Sequence, residues 1–315
     1  MTPSIDVSII VAAYEASDFV GAAIASCLQQ NDVSFEVIVV DDGSKVSCRP
    51  IVEAIAQDDK RVRFIQLPQN SGPSGARNAG IQAANGAYIA VLDADDAMLP
   101  NRLKTLHAAA RAHSADIVVD NMMATPDITD AALFKPFLTL QDTETPTQIT
   151  LETYLDPQSD RRFGRSLGYL KPLVSREFLD QHSIAYDTSL TNSEDFYIIA
   201  EMLAHGARMV LMPDAFYVYR LHEGSTSHRL NPKQTSAILA AERAFQKRHA
   251  DRLGTAGLEI AKRRLDGLTH THEYETLRDD LLQRAPIRFL GHLARNPLSA
   301  PAHIWSIVKV LMKRF

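Results

Sequence analysis

Residues 88–99 have the sequence YIAVLDADDAML, and this stretch decides the fold class. The apolar run Tyr88–Leu92 is short and uninterrupted, which predicts a strand buried on both faces. Three carboxylates follow it, at Asp93, Asp95 and Asp96. A buried strand that ends in acids needs a positive partner for them, because an unpaired charge is costly to desolvate. The sequence therefore predicts a site at the carboxyl end of this strand.

The same pattern repeats through the first hundred residues, where short apolar runs alternate with segments of helical period. The first run, VSIIVAAY, is nearly continuous and rich in β-branched residues, as in a buried strand. Asp18 is placed to cap the helix that follows, and Pro50 lies near the first turn of the next helix. This alternation predicts a mostly parallel sheet, whose carboxyl ends gather functional groups. We predict strands at 7–14, 35–44, 62–70 and 87–96, and helices at 16–30, 48–59 and 74–85.

The remainder of the chain predicts a second domain. One more helix and strand are expected up to residue 119, and the polar, weakly periodic residues 120–165 suggest a variable insertion or lid. Helical patterning from residue 231 onward gives predicted domains at 1–230 and 231–315. The tail at 301–315 has an apolar and a basic face, which suits either an interfacial helix or a packed C-terminal helix.

Composition excludes several classes of protein. The 33 basic and 38 acidic residues give a net charge of −5, which argues against nucleic-acid binding through bulk charge. Cys27 and Cys48 match no metal-ligand spacing and suit a reducing cytoplasm. The first residues lack the basic region of a signal peptide, and no apolar stretch is long enough to span a bilayer. We therefore expect a cytoplasmic protein, soluble or peripheral to a membrane.

Two further segments carry polar turns near predicted strand ends. VDDGS joins Asp41 and Asp42 to a glycine turn, which suits either a nucleoside pocket or an acidic helix cap. NSGPSGARNAG, at 70–80, combines glycines that permit close backbone approach with Arg77, whose guanidinium suits a phosphate. This segment lacks the ending of a P-loop and the spacing of the dinucleotide motif. A plain loop-to-helix turn is its alternative interpretation.

Carboxylates occur in two places where they have chemical use. In LDADD, Asp93 and Asp95 lie two residues apart on a turn, which suits a divalent cation that bridges diphosphate oxygens. A solvated turn is the alternative. Glu194 and Asp195 begin a predicted helix, where the dipole favours carboxylates. One of them is otherwise a candidate general base.

A last polar group follows a strand near the end of the first domain. YVYRLHEGSTS, at 217–227, brings Arg220 and His222 together after two tyrosines. His222 suits a metal site and Arg220 suits a phosphate. The alternative is an edge strand with exposed alternate residues.

The order of these segments resembles the pattern of glycosyltransferase family 2, over roughly Val7–Ser227. A strand ending in a small-residue and tyrosine turn is followed by VDDGS, the glycine-rich arginine segment, LDADD and the helix-start pair ED. The resemblance implies an α/β protein with the GT-A fold. That fold is a mostly parallel, Rossmann-like nucleotide-binding sheet flanked by helices, here with a helical C-terminal extension.

The resemblance also implies a role for each matching residue. Asp195 corresponds to the catalytic base, with Glu194 beside it. Asp95 corresponds to the ligand of Mn²⁺ or Mg²⁺, and His222 to a further metal ligand in some members. The implied donor contacts are Ala13, Tyr14, Glu15, Asp41, Asp42, Gly72, Arg77, Asp93, Ala94 and Arg220.

The implied reaction moves a hexose from a UDP-sugar to a saccharide or lipid-linked saccharide acceptor, with inversion, in exopolysaccharide or lipopolysaccharide assembly. A lipid-linked acceptor would suit peripheral contact of 301–315 with the cytoplasmic face of the inner membrane. A nucleotidyltransferase would want a basic glycine-rich loop after the first strand, where AAYEASDF stands. A catalytically impaired sugar-binding protein would be expected to lack Asp95 or Asp195, and both are present. An NAD-dependent oxidoreductase fails because no G-x-G-x-x-G follows the first strand.

Overall fold

The computed structural model describes residues 5–141, 144–221, 230–283 and 285–295. The chain divides into two compact units, Met1–Gly224 and Ser225–Phe315. The first unit is built on a sheet, and the second is helical wherever the structure describes secondary structure in it.

One mixed sheet runs through the first unit, in the order β3-β2-β1-β4-β9-β6-β10-β5. Strands β1 to β4 run parallel, β9 is antiparallel to β4 and β6, and β10 is parallel to β6. Two short strands extend it, with β7 on β6 and β8 on β10. The bounds are β1 Val7–Ala13, β2 Phe35–Asp41, β3 Val62–Gln66, β4 Tyr88–Asp93, β5 Ala97–Met98, β6 Ile117–Thr125, β7 Lys135–Pro136, β8 Thr147–Ile149, β9 Leu173–Ser175 and β10 Met209–Arg220.

Helices connect the strands much as the alternation predicts. In the first unit they are α1 Val20–Leu28, α2 Arg49–Asp58, α3 Gly72–Gln82, α4 Arg102–His113, α5 Leu151–Leu155, α6 Ser159–Phe163, α7 Arg176–His182 and α8 Glu194–Ala204. Pro50 lies in the first turn of α2, as predicted. The predicted cap at Asp18 is wrong, because α1 begins after Phe19 and no side chain caps it.

The core explains why the first strands are continuous apolar runs. Both faces of a parallel sheet are covered, so every position of β1 and β2 needs a side chain that tolerates burial. Val7, Ile9 and Ile10 have no exposed surface. Helix α3 packs so closely on β1 that a Cβ at Gly80 would lie 2.4 Å from Ile10 Cγ2. The glycine therefore sets the distance between this helix and the sheet.

The polar segment predicted from residue 120 begins later than expected. Strand β6 extends to Thr125, and Asp120, Asn121 and Thr125 are buried in it. Asn121 pairs with the backbone of Leu138 through two hydrogen bonds, of 2.9 and 3.1 Å. Buried polar groups with partners make this half of β6 resemble a loop in composition. The prediction is wrong for these six residues, and short helices and strands follow them.

The second unit contains α9 Pro232–Arg248, α10 Ala250–Leu282 and α11 Pro286–Arg295. Asn231 and Gln234 form a reciprocal capping box at the start of α9. Gly254 interrupts α10 with a φ of 58°, so the long helix contains a kink. No helix in the described residues is both long and apolar enough to cross a bilayer. The tail at 301–315 lies outside the described residues, and its membrane contact stays a prediction.

Candidate active site

Hydrogen bonds join the turns that follow β1 and β2, at residues 13–15 and 41–45, into one surface that we call the ledge. Asp42 N–H donates to Ala13 O at 2.8 Å, and Glu15 N–H donates to Ser44 Oγ at 2.9 Å. The Glu15 carboxylate in turn accepts from Lys45 N–H at 2.7 Å. Glu15 adopts a positive φ of 50°, and the neighbouring Tyr14 is half exposed. The structure thus brings the turn at 13–15 beside the turn at 41–45, as a shared binding surface requires.

The two acids of VDDGS have different environments. Asp41 has no exposed surface, and it accepts from Ser44 N–H, Ser47 Oγ and Cys48 N–H at 2.5–3.2 Å. Burial acts to raise the pKa of Asp41, but the hydrogen bonds from Ser47 and Ser44 outweigh it and lower the pKa. Asp41 therefore organises its own loop. The nucleoside contact expected of Asp41 or Asp42 stays a prediction.

Asp42 links this loop to the glycine-rich segment. Its carboxylate accepts from Ser71 N–H at 2.7 Å, just before α3, while burial raises its pKa. Gly43 has a φ of 68°, and a Cβ there would lie 2.6 Å from the backbone carbon of Gln69. Gly72, the first residue of α3, has a φ of 76°. Both positions need glycine, because other residues rarely adopt this conformation.

The acids after β4 are held by β10. Asp96 is buried and accepts from Tyr217 Oη at 2.6 Å and from Arg220 N–H at 2.8 Å. Burial, together with Asp93 and Asp95, raises the pKa of Asp96 well above its ordinary value. Asp96 therefore fastens the turn to β10.

Arg220 binds the same turn from another side. Its Nε donates to the carbonyl oxygen of Asp95 at 2.9 Å, and its guanidinium lies 5.3 Å from the centre of the Phe19 ring. Ala94, between the acids, is buried. His222 lies outside the described residues, so its metal role stays a prediction. The phosphate contact of Arg220 also stays a prediction.

Two cations and three carboxylates meet at the end of β4. Arg77, on α3, lies 2.8 Å from Asp93, 2.7 Å from Glu194 and 3.2 Å from Asp195. Lys171, just before β9, lies 2.8 Å from Asp93 and 2.6 Å from Asp195. Both cations are buried, with 4% and 9% of their side-chain surface exposed. We call these five residues the charge network.

The charge network supplies positive partners for Asp93, the acid that ends β4. Burial acts to raise the pKa of Asp93, but Lys171 and Arg77 overcome this and hold it well below its ordinary range. The guanidinium of Arg77 is buried and already pairs with three acids. Its expected phosphate contact stays a prediction. The described structure brings Asp93 together with Glu194 and Asp195, which lie about a hundred residues later in the sequence.

Asp195 differs from the other acids in how its two oxygens are used. Oδ2 accepts from Lys171 Nζ at 2.6 Å. Oδ1 is buried and, within the described residues, has no hydrogen-bond partner, although Arg77 lies 3.2 Å away. A carboxylate that two cations hold in place, with one oxygen that accepts no hydrogen bond there, can act as a proton acceptor.

Comparison with known proteins identifies the family of this chain. The family described as Glycosyl transferase family 2 matches residues 8–153. Succinoglycan biosynthesis protein ExoO of Rhizobium meliloti (strain 1021) is 38% identical over 89% of this chain and 78% of that protein. The chain belongs to glycosyl transferase family 2. Succinoglycan biosynthesis protein ExoU of the same strain is 30% identical over 98% of this chain and 89% of that protein.

Solved structures show the same fold as this family 2 glycosyltransferase. S. aureus TarS 1-349 has a TM-score of 0.64 at 18% identity, over 99% of this chain and 92% of that one. TarS 1-349 in complex with UDP-GlcNAc has a TM-score of 0.63 and the same identity, over 98% of this chain and 92% of that one. The GT-A fold predicted from the sequence is therefore confirmed.

Lys171 was not predicted as a site residue of this glycosyltransferase. The signal was present in GYLKPLVS, where one lysine stands in an otherwise apolar run. A lysine in a segment that becomes buried needs an acidic partner. Nothing local in the sequence names that partner.

Replacing Lys171 by methionine is expected to make the glycosyltransferase more sensitive to acid. A carboxyl whose folded pKa lies below its unfolded value of about 3.9 stabilises the fold above that pH, and this stability is lost as the pH falls. Without Lys171, the pKa of Asp93 is held down less. The midpoint of acid unfolding, followed by circular dichroism, should rise by at least about half a pH unit.

The exposed pair Lys104–Asp32, at 2.7 Å, supplies the control. Lys104→Met removes the same charge from the surface and should leave the acid midpoint unchanged. Equal midpoints for Lys171→Met and the parent would show that Lys171 does not stabilise the ionised acids.

Proposed function

We propose that this protein is an inverting glycosyltransferase. It moves a hexose from a UDP-sugar to a saccharide or lipid-linked saccharide acceptor in exopolysaccharide assembly. The names of ExoO and ExoU, both succinoglycan biosynthesis proteins, support the pathway class. The UDP-GlcNAc complex of TarS supports a UDP-sugar donor. The observation that carries the proposal is the geometry of Asp195 in the charge network. Lys171 holds its Oδ2, and its Oδ1 accepts no hydrogen bond within the described residues.

The nucleotide would lie on the ledge formed by the ends of β1 and β2. Tyr14 offers an exposed ring there, and the backbone of Gly72 can approach a ligand closely because it has no side chain. Asp41 is already saturated by its own loop, so Asp42 is the better candidate for the base or ribose. This edge holds the carboxyl ends of the parallel strands, where ligands of such sheets bind.

The turn after β4 has the chemistry to hold Mn²⁺ or Mg²⁺. Magnesium is commonly held by one or two protein carboxylates together with substrate phosphates, and Asp95 offers such a carboxylate. Burial raises the pKa of Asp96, and the negative charges of Asp93 and Asp95 raise it further, so a cation would be favoured electrostatically at this turn. A divalent cation held there would neutralise the charge of the departing diphosphate.

Asp195 acts as the general base in this proposal. Lys171 fixes Oδ2, so Oδ1 is the atom left to take the proton of the acceptor hydroxyl. That hydroxyl oxygen forms the new bond to the anomeric carbon from the face opposite the diphosphate, whose bond breaks. One displacement inverts the configuration. Arg77 and Lys171 keep Asp195 in place throughout.

A donor-hydrolysis screen tests this function. Purified protein is incubated with UDP-, GDP- and dTDP-sugars, with and without Mn²⁺, and release of the nucleoside diphosphate is measured. We expect release from a UDP-sugar, dependent on the cation. Asp95→Ala should lower the rate by about 10²-fold, because it removes charge stabilisation of the leaving group.

Asp58→Ala is the matched control, because Asp58 is an exposed acid at the end of α2. It should hydrolyse the donor at the rate of the parent. Full activity of Asp95→Ala, or turnover that ignores Mn²⁺, would overturn the metal assignment. Release from no nucleotide-sugar would overturn the proposed activity.

A further inference from the structure

Three aromatic rings and one arginine form a cluster on the half of the sheet that contains β6, β7 and β10. Phe137 lies in the middle, with its ring centre 5.6 Å from that of Tyr169 and 5.9 Å from that of Tyr219. The guanidinium of Arg165 lies 4.7 Å from the centre of the Phe137 ring. We call Phe137, Arg165, Tyr169 and Tyr219 the aromatic cluster.

One end of the cluster adjoins the proposed base. Tyr169 ends a short 3-10 turn, Leu167–Tyr169, and stands two residues before Lys171 of the charge network. The turn packs tightly on α8, since a Cβ at Gly168 would lie 2.8 Å from Phe196. Phe196 directly follows Asp195. Tyr169 is therefore held beside the segment that carries the base.

The other end adjoins the acidic turn after β4. Tyr217 and Tyr219 are two residues apart on β10, in a stretch with regular register against β6, so they share a face of the sheet. Tyr217 Oη bonds Asp96, and Arg220, next to Tyr219, bonds the carbonyl of Asp95. The cluster thus reaches from the side of the base to the side of the acidic turn.

The rings differ in their exposure in a way that suits a binding surface. Phe137 is buried and supports the others, while Tyr169 is 42% exposed and Tyr219 is partly exposed. An aromatic side chain that is open to solvent beside a polar site is available to stack on a ligand. Tyr14 follows β1, whereas Tyr219 lies on β10, four strands further along the sheet.

We propose that the aromatic cluster is a subsite for a pyranose ring of the saccharide acceptor. One face of a pyranose carries C–H groups and stacks on an aromatic ring, while its hydroxyls take hydrogen bonds from a guanidinium. Tyr169 supplies the ring for stacking, and Arg165 supplies the donors. The subsite rests on the proposed function, because it places the acceptor next to Asp195 and on the opposite half of the sheet from the nucleotide.

Saturation-transfer NMR tests the subsite without knowledge of the natural acceptor. The probes are methyl β-D-glucopyranoside and methyl β-D-galactopyranoside, each titrated into full-length protein that contains UDP. Tyr169→Ala should weaken binding of the preferred glycoside by about tenfold, since stacking contributes energy of that order. Tyr169→Phe keeps the ring and should bind within about twofold of the parent.

Tyr88→Ala is the matched control, because Tyr88 lies at the amino end of β4, whereas the acidic turn follows the carboxyl end of that strand. It should bind the glycosides as the parent does. Equal binding by Tyr169→Ala and the parent, or no saturation transfer in the parent, would overturn the subsite.

Donor hydrolysis without acceptor separates this proposal from the proposed function. Water needs no aromatic surface, so Tyr169→Ala should hydrolyse the UDP-sugar at the rate of the parent. That result, combined with weakened glycoside binding, supports an acceptor subsite. A loss of hydrolysis in Tyr169→Ala would instead assign Tyr169 to the donor side and overturn it. If the parent protein hydrolyses no UDP-sugar, the proposed transferase activity is contradicted. The glycoside titration measures binding at the subsite and does not depend on that activity.

Discussion

Asp195→Asn is expected to lower the turnover number by about 10³-fold, because an amide cannot take the proton of the attacking hydroxyl. The substitution keeps the size and shape of the side chain. Its amide oxygen can still accept from Lys171 Nζ, which lies 2.6 Å from Oδ2 in the parent. Donor binding should therefore persist, and the loss should appear in kcat rather than in KM for the UDP-sugar.

The matched comparison is with Asp58→Asn and Glu194→Gln. Asp58 is exposed at the end of α2 and lies outside the charge network, so its variant should retain the activity of the parent. Glu194 binds Arg77 through Oε1 at 2.7 Å, and its variant should lose less activity than Asp195→Asn. Both rates are measured as UDP release at saturating donor. Turnover by Asp195→Asn within tenfold of the parent would exclude it as the base, and a larger loss in Glu194→Gln would assign that role to Glu194.

The fold could be predicted because its determinants are local. Strands β1, β2 and β4 are short apolar runs between helical segments, and a parallel sheet covered on both faces requires that pattern. The acids at the ends of β2 and β4 lie at one edge of the sheet for the same reason, since these strands run in the same direction. Family membership then followed from the order of the turns along the chain.

The partners of those acids could not be predicted, because they come from distant parts of the chain. Arg77 and Glu194 are separated by 117 residues and meet only after α3 and α8 have packed against the sheet. Arg77 was therefore interpreted through its glycine-rich neighbours, as a phosphate ligand. Lys171 was missed, since no pattern near it refers to Asp93 or Asp195.

Strand β6 shows a second limit of local patterns. Its apolar half was predicted, but its polar half was assigned to an insertion, since Asp120 and Asn121 look like loop residues. Their partners are Arg102 on α4 and the backbone at Leu138. Composition cannot separate a solvated acid from a buried acid with a guanidinium against it, because the difference lies in the partner.

Asp120→Ala is expected to lower the free energy of unfolding by about 3–5 kcal/mol, because it leaves a buried guanidinium without its anion. Arg102 has no exposed surface, and it meets Asp120 through two nitrogens at 2.8–3.1 Å. It also donates to the carbonyl oxygen of Lys171 at 2.5 Å. The third guanidinium nitrogen of Arg102, Nη1, has no hydrogen bond within the described residues. The guanidinium carbon lies 5.1 Å from the centre of the Tyr217 ring.

The exposed pair Arg49–Glu53, at 2.9 Å, is the matched control in urea unfolding followed by circular dichroism. Glu53→Ala breaks that pair and should change stability by no more than about 0.5 kcal/mol. The double variant Arg102→Met, Asp120→Leu removes both charges and should be more stable than Asp120→Ala, because neither partner is then left buried alone. Equal stability of Asp120→Ala and Glu53→Ala would contradict this account. Because Arg102 also holds the backbone of Lys171, Asp120→Ala should reduce donor hydrolysis even at temperatures where it remains folded.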